Sequence, residues 1–480
     1  FGNSRVRPIM KDNSGKLWFG TEEGGVYQYT GTGISKFSFG KASTMHGLRS
    51  MHADRIGNLW FGKTDGGGFF KYDGKQFFHF PEKRTQDIQS IYSILEDRSG
   101  NIWYSRFKDG ITKMNETSQL TYSYGKKEGL ISNKIFTIFE DRKGIIWMGT
   151  EGGGVMKFDG NTGFTFYTER EGLFCKSVTS IIEDKNGALW FGTLGAGVCK
   201  FNGTTFTYFT EQEGLSNNNV WSLKEDSTGK IWVGTDKGLS VLIPSIKNIK
   251  PLKTGYTILT YGLEDGLKAT DFNLNSVCID DDNRIWWGNG KSVETLDLNQ
   301  FLNTSKAPSL NLNHIEINDR FYDFRNFPDS NKNNISFSSV IQFKNYPQNL
   351  SLTYDQNHLS FFFSAIDWSV PHKIKYSYRL LGWADQWSKP NDETKAEFRN
   401  LPYGNYTFEV KAIGQSQVWT KTFSYKFSIQ PAWWQTWWFK AAVILTAALI
   451  LLFIARLIYR ARLRKQRVLL EKQLAVQFER

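Results

Sequence analysis

The chain has 480 residues, a formal net charge of +12 and an aromatic content of 16%, and this length allows two or three domains. Its three cysteines, Cys175, Cys199 and Cys278, lack the spacing of a disulfide framework or a zinc site. A disulfide-stabilised scaffold is therefore excluded, and we expect neither a metal nor another cofactor. Half of the net charge lies in residues 456–480, which hold eight Lys or Arg and two Asp or Glu. Because half of the excess charge is concentrated in this short end of the chain, the high pI does not indicate nucleic-acid binding.

Seven copies of one pattern occupy residues 1–300. The shared frame is an Asp, a Gly three residues later (an Asn in the last copy) and a Trp three residues after that, as in EDRKGIIWMGTEGGGVMKFDG at residues 140–160. Short alternating runs punctuated by Gly predict four strands in each copy, and a period near 43 residues predicts a β-propeller. We therefore expect an all-β protein that begins with a seven-bladed propeller, with Gly in the turns and Trp packed between blades. The repeat tryptophans are Trp18, Trp60, Trp103, Trp147, Trp190, Trp232 and Trp286.

The last copy lacks the outer strand that follows the other six. After Asp297 the chain continues as NQFLNTSKAPSLNLN, which has no equivalent of runs such as FTFYT. Propellers commonly close by borrowing this strand from the other terminus, which leaves fewer exposed edges. The chain also begins at Phe1 without a Met or a signal peptide. We expect preceding residues to supply the closing strand, and a further propeller could also lie there.

Residues 308–430 keep the strand pattern but lose the 43-residue period. Runs such as HLSFFFSAIDW, KIKYSYRLLGW and NYTFEVKAI alternate apolar and polar residues between turns. A segment of this size and pattern predicts a small Ig-like β-sandwich.

These segments resemble a known family of bacterial sensor proteins. The D-x-x-G-x-x-W-x-G-T copies look like the two-component regulator propeller, and YSYRLLGWADQWSKP with FRNLPYGNYTFEVKA looks like the triple-tyrosine (Y_Y_Y) domain. The resemblance covers nearly the whole chain, although many members carry two propellers and this chain has seven copies. The positions that carry the second resemblance are Tyr376, Tyr378, Leu380, Gly382, Trp387, Leu401, Pro402, Gly404, Tyr406 and Phe408.

Residues 437–459 have the composition of a transmembrane helix. Fifteen apolar or small residues run from Ala441 to Ala455, four tryptophans precede them, and Arg456 begins a basic cluster behind them. Tryptophan belts mark membrane interfaces and basic residues stay in the cytoplasm. We expect a single pass through the inner membrane, with residues 1–436 periplasmic and residues 460–480 cytoplasmic. The cytoplasmic segment is predicted to be a juxtamembrane helix or the start of a coiled coil; a buried core helix is the alternative for the apolar run.

This order of segments is typical of a receptor that reports an external event to the cytoplasm. The resemblance implies that the parent protein is a sensor histidine kinase of a two-component system, with cytoplasmic kinase or response-regulator domains as partners. No kinase motif or other catalytic site is recognised in the 480 residues, so whether the parent is an enzyme depends on other segments. We expect a homodimer, because two helices can shift against each other.

One variable column of the repeat predicts the ligand site. The position twelve residues before each Trp is always Val, Ile or Leu, whereas the position eleven before varies. If the first strands line the central channel, the variable column surrounds the mouth opposite the Asp-x-x-Gly turns. Cationic, aromatic and amide groups there suit an anionic or sugar ligand, and the resemblance suggests an oligosaccharide. The column is Arg7, Arg49, Tyr92, Phe136, Thr179, Trp221 and Asn275.

The third copy adds two further candidates at this mouth. Its sequence WYSRFKDG replaces W-x-G-T and places Arg106 and Lys108 in the loop between the second and third strands. The alternative is that these are ordinary solvated loop residues, and Trp221 could instead pack between blades.

Two other functions compete with sensing. An extracellular polysaccharide-degrading enzyme would need a carboxylate pair or a His/Tyr set at the channel, but the variable column has no carboxylate and His46, His52 and His79 lack ligand-type spacing. A membrane-anchored scaffold that binds partner proteins is the closer rival. The outgoing basic helix favours signalling over the scaffold.

Overall fold

The computed structural model of the chain describes residues 4–38, 45, 47–64, 68–80, 90–115, 119–122, 129–158, 160, 163–244, 255–290, 292–301, 307–327, 335–367, 370–414 and 418–478. Two compact units are present, Phe1–Asn303 and Thr304–Arg480. The finer boundaries expected from the sequence, at residues 308, 430, 437 and 460, remain predictions.

The first unit is the predicted seven-bladed propeller. Each copy of the repeat forms one antiparallel sheet, with its strands in chain order. Within the described residues, blades 1 to 6 have four strands and blade 7 has three. The first strands of neighbouring blades contact one another around the centre of the ring.

The strand bounds follow the blades in chain order. Blades 1 to 3 consist of β1 Val6–Lys11, β2 Leu17–Thr21, β3 Val26–Tyr29, β4 Ile34–Lys36, β5 Leu48–Ala53, β6 Leu59–Lys63, β7 Phe69–Tyr72, β8 Phe77–Phe80, β9 Ile94–Glu96, β10 Ile102–Arg106, β11 Gly110–Met114 and β12 Gln119–Tyr122. Blades 4 to 7 consist of β13 Ile135–Glu140, β14 Ile146–Thr150, β15 Val155–Phe158, β16 Phe164–Tyr167, β17 Val178–Glu183, β18 Leu189–Thr193, β19 Val198–Phe201, β20 Phe206–Phe209, β21 Val220–Glu225, β22 Ile231–Thr235, β23 Gly238–Pro244, β24 Tyr256–Tyr261, β25 Phe272–Ile279, β26 Arg284–Asn289 and β27 Ser292–Asp297.

The Asp and the Trp of the repeat form one hydrogen-bonded unit. In blade 5 the buried Asp184 accepts the backbone N–H groups of Asn186 and Ala188 on Oδ1 and the indole N–H of Trp190 on Oδ2, at 2.9, 2.9 and 2.8 Å. This bond satisfies an indole N–H that would otherwise be buried unpaired. The same Asp–Trp bond recurs in every blade, as Asp12–Trp18, Asp54–Trp60, Asp97–Trp103, Asp141–Trp147, Asp184–Trp190, Asp226–Trp232 and Asp280–Trp286.

The two repeated glycines serve different purposes. Gly187, in the Asp-x-x-Gly turn, has φ +83°, and Asn283 takes this position in blade 7 with φ +60°, a region that Gly and Asn tolerate best. The glycine of W-x-G-T instead allows close packing on the next blade. A Cβ on Gly149 would lie 2.6 Å from the carbonyl oxygen of Val178, and one on Gly288 would lie 2.5 Å from that of Val6. The second contact joins blade 7 to blade 1 and closes the ring.

Charged residues on the turn side link successive blades. The backbone N–H of Arg142 donates to Glu183 of the next blade at 2.7 Å, and that of Lys185 donates to Glu225 at 2.8 Å. At the seam between blades 7 and 1 the charges are exchanged, and Lys11 Nζ lies 2.6 Å from Asp281 Oδ1. The closing contact therefore differs electrostatically from the contacts between blades 4, 5 and 6.

The outer edge of blade 7 is formed by β27. Within the described residues no strand pairs with this edge. The closing strand expected from residues ahead of Phe1 remains a prediction. Beyond β27, Phe301 turns back onto blade 6, where its ring lies 5.0 Å from that of Trp232.

His52 makes the contact between blades 2 and 3 sensitive to pH. Its Nε2 accepts the backbone N–H of Glu96 at 3.1 Å, and burial lowers the pKa of His52 from its ordinary value of 6.5 to about 4. The unfolded chain binds this proton at the ordinary pKa, so stability is fully present above pH 6.5 and is lost as the pH falls through 4. We expect the urea midpoint of wild type to fall more steeply over this window than that of His52→Gln, whose amide accepts the same bond without titrating. Parallel curves would contradict the prediction.

The second unit begins with the predicted β-sandwich. One sheet has the order β29-β28-β34-β36 and the other β30-β33-β38-β37-β35, with β31 and β32 paired separately. The sheets pack through aromatic residues such as Phe361 and Phe408, whose rings stack at 4.2 Å. Tyr406 donates its hydroxyl to Pro402 O at 2.6 Å, which resembles the tyrosine corner of Ig-like sandwiches. The strands are β28 Ser309–Ile317, β29 Arg320–Phe321, β30 Ile335–Ser336, β31 Ser339–Val340, β32 Pro347–Gln348, β33 Leu350–Leu352, β34 Leu359–Ile366, β35 Lys375–Leu381, β36 Lys395–Phe398, β37 Gly404–Ile413 and β38 Phe423–Ile429.

The second unit ends in one long helix, α1, which spans Trp437–Phe478. Within it, Trp437–Lys472 is long and apolar enough to cross a membrane, and none of its most apolar stretch is buried. Thr446, the hydroxyl in the apolar run, donates to Ala442 O at 3.0 Å, so the helix itself satisfies this polar group. The helix continues without a break from the apolar run into the basic segment.

Candidate functional site

In every blade but the third, the first strand has a bulge near its start, at the mouth of the propeller. In blade 5, Val178 pairs with Thr193 and Ser180 pairs with Gly192, which leaves Thr179 as an extra residue. A bulge re-aims side chains where a strand begins. The variable column lies in this bulge in the blades that keep this register. Thr179 itself is fully buried and donates to Gly192 O at 3.0 Å, so it packs between strands.

A second column faces the first and was missed by sequence reasoning. It lies four residues after each Trp, and in every blade its backbone N–H donates to a carbonyl just ahead of the first strand, as from Leu194 to Ser177 at 3.1 Å. The alignment on the tryptophans contained this signal, because the position varies as freely as the first column does. The second column is Glu22, Thr64, Phe107, Glu151, Leu194, Asp236 and Gly290.

Three blades place an acid of the second column against a donor from the start of the first strand. Trp221, one of the predicted residues, is half-buried, and its indole N–H donates to the carboxylate of Asp236. The side chain of Asn219 donates to the same carboxylate at 2.8 Å. Arg7 is likewise held by an acid of its own blade. The pairs are Arg7–Glu22 at 3.0 Å, Lys134–Glu151 at 3.2 Å and Trp221–Asp236 at 2.5 Å.

Blades 2, 3 and 4 meet in an aromatic group, called here the Tyr92 cluster: Arg49, Tyr92, Phe107 and Phe136. Arg49 Nη2 donates to the Tyr92 hydroxyl at 3.0 Å, and its guanidinium carbon lies 4.6 Å from the ring centroid. Tyr92 stacks on Phe107 at 4.6 Å, and Phe136 lies 5.6 Å from Tyr92. The structure thus brings together three of the predicted residues and adds Phe107.

Blade 7 departs from the predicted alignment. Phe272 pairs with Asn289 and Val277 with Trp287, so the bulge holds two residues more than in the other blades. The backbone confirms the shift, because Gly290 N–H donates to Asp271 O. Phe272 rather than Leu274 is therefore the packing residue, and Asn273 occupies the variable column.

Asn275 belongs to the insertion in blade 7 and not to the column in which the sequence placed it. With φ +57°, it extends its side chain across the mouth, where Nδ2 donates to the backbone carbonyl of Tyr92 at 2.6 Å. Asn275 of blade 7 consequently joins the Tyr92 cluster through the backbone of blade 3.

The two candidates from the loop of blade 3 differ from the Tyr92 cluster in their contacts and exposure. Arg106 is ion-paired with Asp109 at 2.5 Å within its own loop. Lys108 is exposed and has φ +79°, which is uncommon for a residue with a side chain. Neither observation decides between a ligand contact and a solvated loop, so their role stays a prediction.

The electrostatics of the mouth favour a neutral Tyr92 beside cations. Burial raises the pKa of the Tyr92 phenol, while nearby Arg7 lowers that pKa and Glu151 raises it. The Nε atoms of Arg7 and Arg49 are buried and have no hydrogen-bond partner. Two guanidinium edges, one phenol and an aromatic wall can together bind an oxygen-rich ligand that has an apolar face.

Two other clusters of charged side chains are already paired with each other within the protein. A cleft of about 240 Å³ lies at the seam of blades 7 and 1, but its acids Asp280 and Asp282 are bound by Arg284 at 2.8 and 2.6 Å. In the sandwich, His358 contacts Asp319 and Glu397 through different ring nitrogens, at 3.4 and 3.0 Å. One ion cannot bind both nitrogens of one ring. Hydrogen bonds from Arg399 and Lys395 lower the pKa of Glu397 to about 2, which indicates an ion-pair network.

Comparisons with known proteins agree with this architecture. The family model for the two-component regulator propeller matches residues 129–152, 172–195 and 214–237, and the model for the Y_Y_Y domain matches residues 369–430. Histidine kinase P4 of Formosa agariphila is 25% identical over 187 residues, which are 38% of this chain and 13% of that protein. The chain therefore spans only a small part of this curated relative.

Two solved structures from B. thetaiotaomicron are similar to this chain. The extracellular domain of BT3049, named as a hybrid two-component system, is 24% identical with a TM-score of 0.71, covering 90% of this chain and 56% of that one. The extracellular domain of BT4673, named as a one-component system, is 21% identical with a TM-score of 0.48, covering 90% of this chain and 58% of that one. The likeness to BT3049 supports the fold.

The fold and its mouth define a propeller protein with an Ig-like sandwich and a C-terminal candidate membrane helix. More particularly, the chain carries two-component regulator propeller repeats and a Y_Y_Y domain, as the sequence resemblance implied.

Proposed function

We propose that the chain is the sensing and membrane-crossing region of a two-component receptor, and that its propeller mouth binds an oligosaccharide. The Tyr92 cluster carries this proposal. It offers a stacked aromatic wall, a phenol and a guanidinium within one group of contacts at 3.0 to 4.6 Å. Sugars present apolar C–H faces and a surrounding ring of hydroxyls, and such a surface matches both.

The helix α1 supports a single pass with the propeller outside the cytoplasm. Trp433, Trp434, Trp437 and Trp438 are exposed around its start, where a membrane interface would hold them. The basic cluster follows the apolar run and matches the cytoplasmic side. We place residues 1–436 in the periplasm and residues 460–480 in the cytoplasm, with the inner membrane between them.

The order of propeller, sandwich and membrane helix also supports a proposal about the cytoplasmic partner of the receptor. A helix that leaves the membrane without a break can carry a shift or rotation to a following domain. The proposed partners are cytoplasmic histidine kinase or response-regulator domains, in keeping with the histidine kinase to which part of the chain is similar. In a homodimer, the helix α1 of each copy can shift relative to the helix α1 of the other.

Oligosaccharide binding by the full chain in lipid nanodiscs tests the proposal. We expect the double variant Arg49→Ala/Trp221→Ala to weaken binding at least about tenfold in calorimetry, because it removes a charged hydrogen-bond donor and an aromatic surface from the mouth. Phe78→Ala is the control, since it removes an exposed aromatic side chain from the outer strand β8. Unchanged affinity in the double variant would place the site elsewhere, and a wild type that binds no oligosaccharide would reject the ligand class.

A further inference from the structure

Arg49 differs from the other donors of the mouth in the kind of group to which it donates. Arg7, Lys134 and Trp221 are each held by an acid of the second column in their own blade. Blade 2 has Thr64 at that position. Within the described part of the chain, no carboxylate contacts Arg49, whose Nη2 is bound by the phenol of Tyr92 instead.

The guanidinium of Arg49 is incompletely hydrogen-bonded within the protein. Its Nε is buried without a partner, and so is the Nε of Arg7 in the neighbouring blade. Tyr92 accepts the bond from Arg49 on its hydroxyl oxygen, so its own proton is free to be donated. A buried guanidinium donor without an acceptor is costly, and an ionised oxygen satisfies it best.

We infer that the mouth selects oligosaccharides that carry a carboxylate, that is, glycans containing uronic acid residues. This inference rests on the proposed function and names the class of ligand for the same site. The carboxylate lies against the guanidinium of Arg49 and the Tyr92 hydroxyl, and the sugar ring beside it packs on Phe107. The acids Glu22, Glu151 and Asp236 do not repel it strongly, because each is already paired with a donor.

Matched pairs of ligands separate charge selection from sugar binding. The probes are oligogalacturonate, oligoalginate and glucuronoxylan oligosaccharides, each compared with its carboxyl-reduced form, in which only the carboxylate is replaced by a neutral CH₂OH group. Calorimetry uses the full chain in nanodiscs, with empty nanodiscs as the blank. Arg49→Gln is the test variant, and Arg49→Lys retains the charge but lacks the planar fork. Arg170→Gln is the control, because it removes an exposed charge from the short 3-10 helix Glu169–Glu171.

We expect wild type to bind at least one acidic probe about tenfold or more tightly than its reduced form. In Arg49→Gln this ratio falls to near one, through weaker binding of the acidic form. In Arg49→Lys it falls partway, because a charge remains without bidentate geometry, and in Arg170→Gln it is unchanged.

Two failures are distinguishable. If the reduced probes bind as tightly as the acidic ones, or if Arg49→Gln keeps the ratio, selection of carboxylates is refuted while oligosaccharide binding at the mouth stands. If neither the acidic probes nor the reduced probes bind wild type, the proposed function fails together with the inference. Should Arg49→Gln lose the native tryptophan fluorescence, the wild-type ratio and the Arg49→Lys variant still decide the question.

Discussion

Replacement of Asp184 by Ala is expected to lower the free energy of unfolding of the propeller by about 3 kcal/mol or more, from the cost of leaving buried donors unpaired. Asp184 is 2% exposed and serves three donors: the indole N–H of Trp190 and the backbone N–H groups of Asn186 and Ala188. Removing the carboxylate leaves the fully buried Trp190 without its acceptor. The measurement is the urea midpoint of the full chain in detergent, followed by tryptophan fluorescence.

Asp73→Ala is the matched control for this substitution. Asp73 accepts the backbone N–H groups of Lys75 and Gln76 in a similar turn, both at 2.8 Å, but the turn is exposed and includes no tryptophan. Water replaces the lost acceptor there, so the midpoint is expected to stay close to that of wild type. Equal shifts in the two variants would show that the turn matters and the buried indole bond does not.

Gly149→Ala is expected to lower the free energy of unfolding by about 2 to 3 kcal/mol through overpacking between blades 4 and 5. The added Cβ would lie 2.6 Å from the carbonyl oxygen of Val178 and 2.8 Å from Thr137 Cγ2. The first neighbour is backbone in an adjacent first strand, so it cannot move aside without displacing the blade. The urea midpoint again reports the change.

Gly163→Ala provides the comparison for Gly149→Ala. A Cβ at Gly163 would have nothing within 4 Å, and its φ lies outside the positive range found for many other glycines of the chain. An alanine there is expected to leave the midpoint unchanged or slightly raised, because it restricts the unfolded chain. A loss of similar size at both positions would mean that interblade packing is not the reason for the glycine.

The architecture was predictable because it is repeated. Seven copies of a frame such as Asp184, Gly187 and Trp190 specify the number of blades, and alternating runs specify strands. The indole bond from Trp190 to Asp184 was not foreseen, since the spacing of six residues brings the two side chains together only after the hairpin has formed.

The candidate site was predictable in part. Alignment on the tryptophans placed Arg49, Tyr92 and Phe136 in one column, and the structure joins them. Phe107 was overlooked although its neighbours in the same loop were chosen. Asn275 was placed in the wrong register, because an insertion inside a bulge changes the pairing without changing the alternation that a sequence displays.

The amino-acid sequence by itself determined the number and kind of structural units. Periodicity, turn residues and an apolar run of membrane length depend on neighbours within a few dozen residues, and each is visible along the chain. Only the tertiary structure decided which side chains share the mouth, which acids neutralise which donors, and that Asn275 crosses to Tyr92, 183 positions away along the chain. These facts depend on the closure of the ring, because a contact between blades 3 and 7 arises from the curvature of the whole propeller and not from any local run of residues.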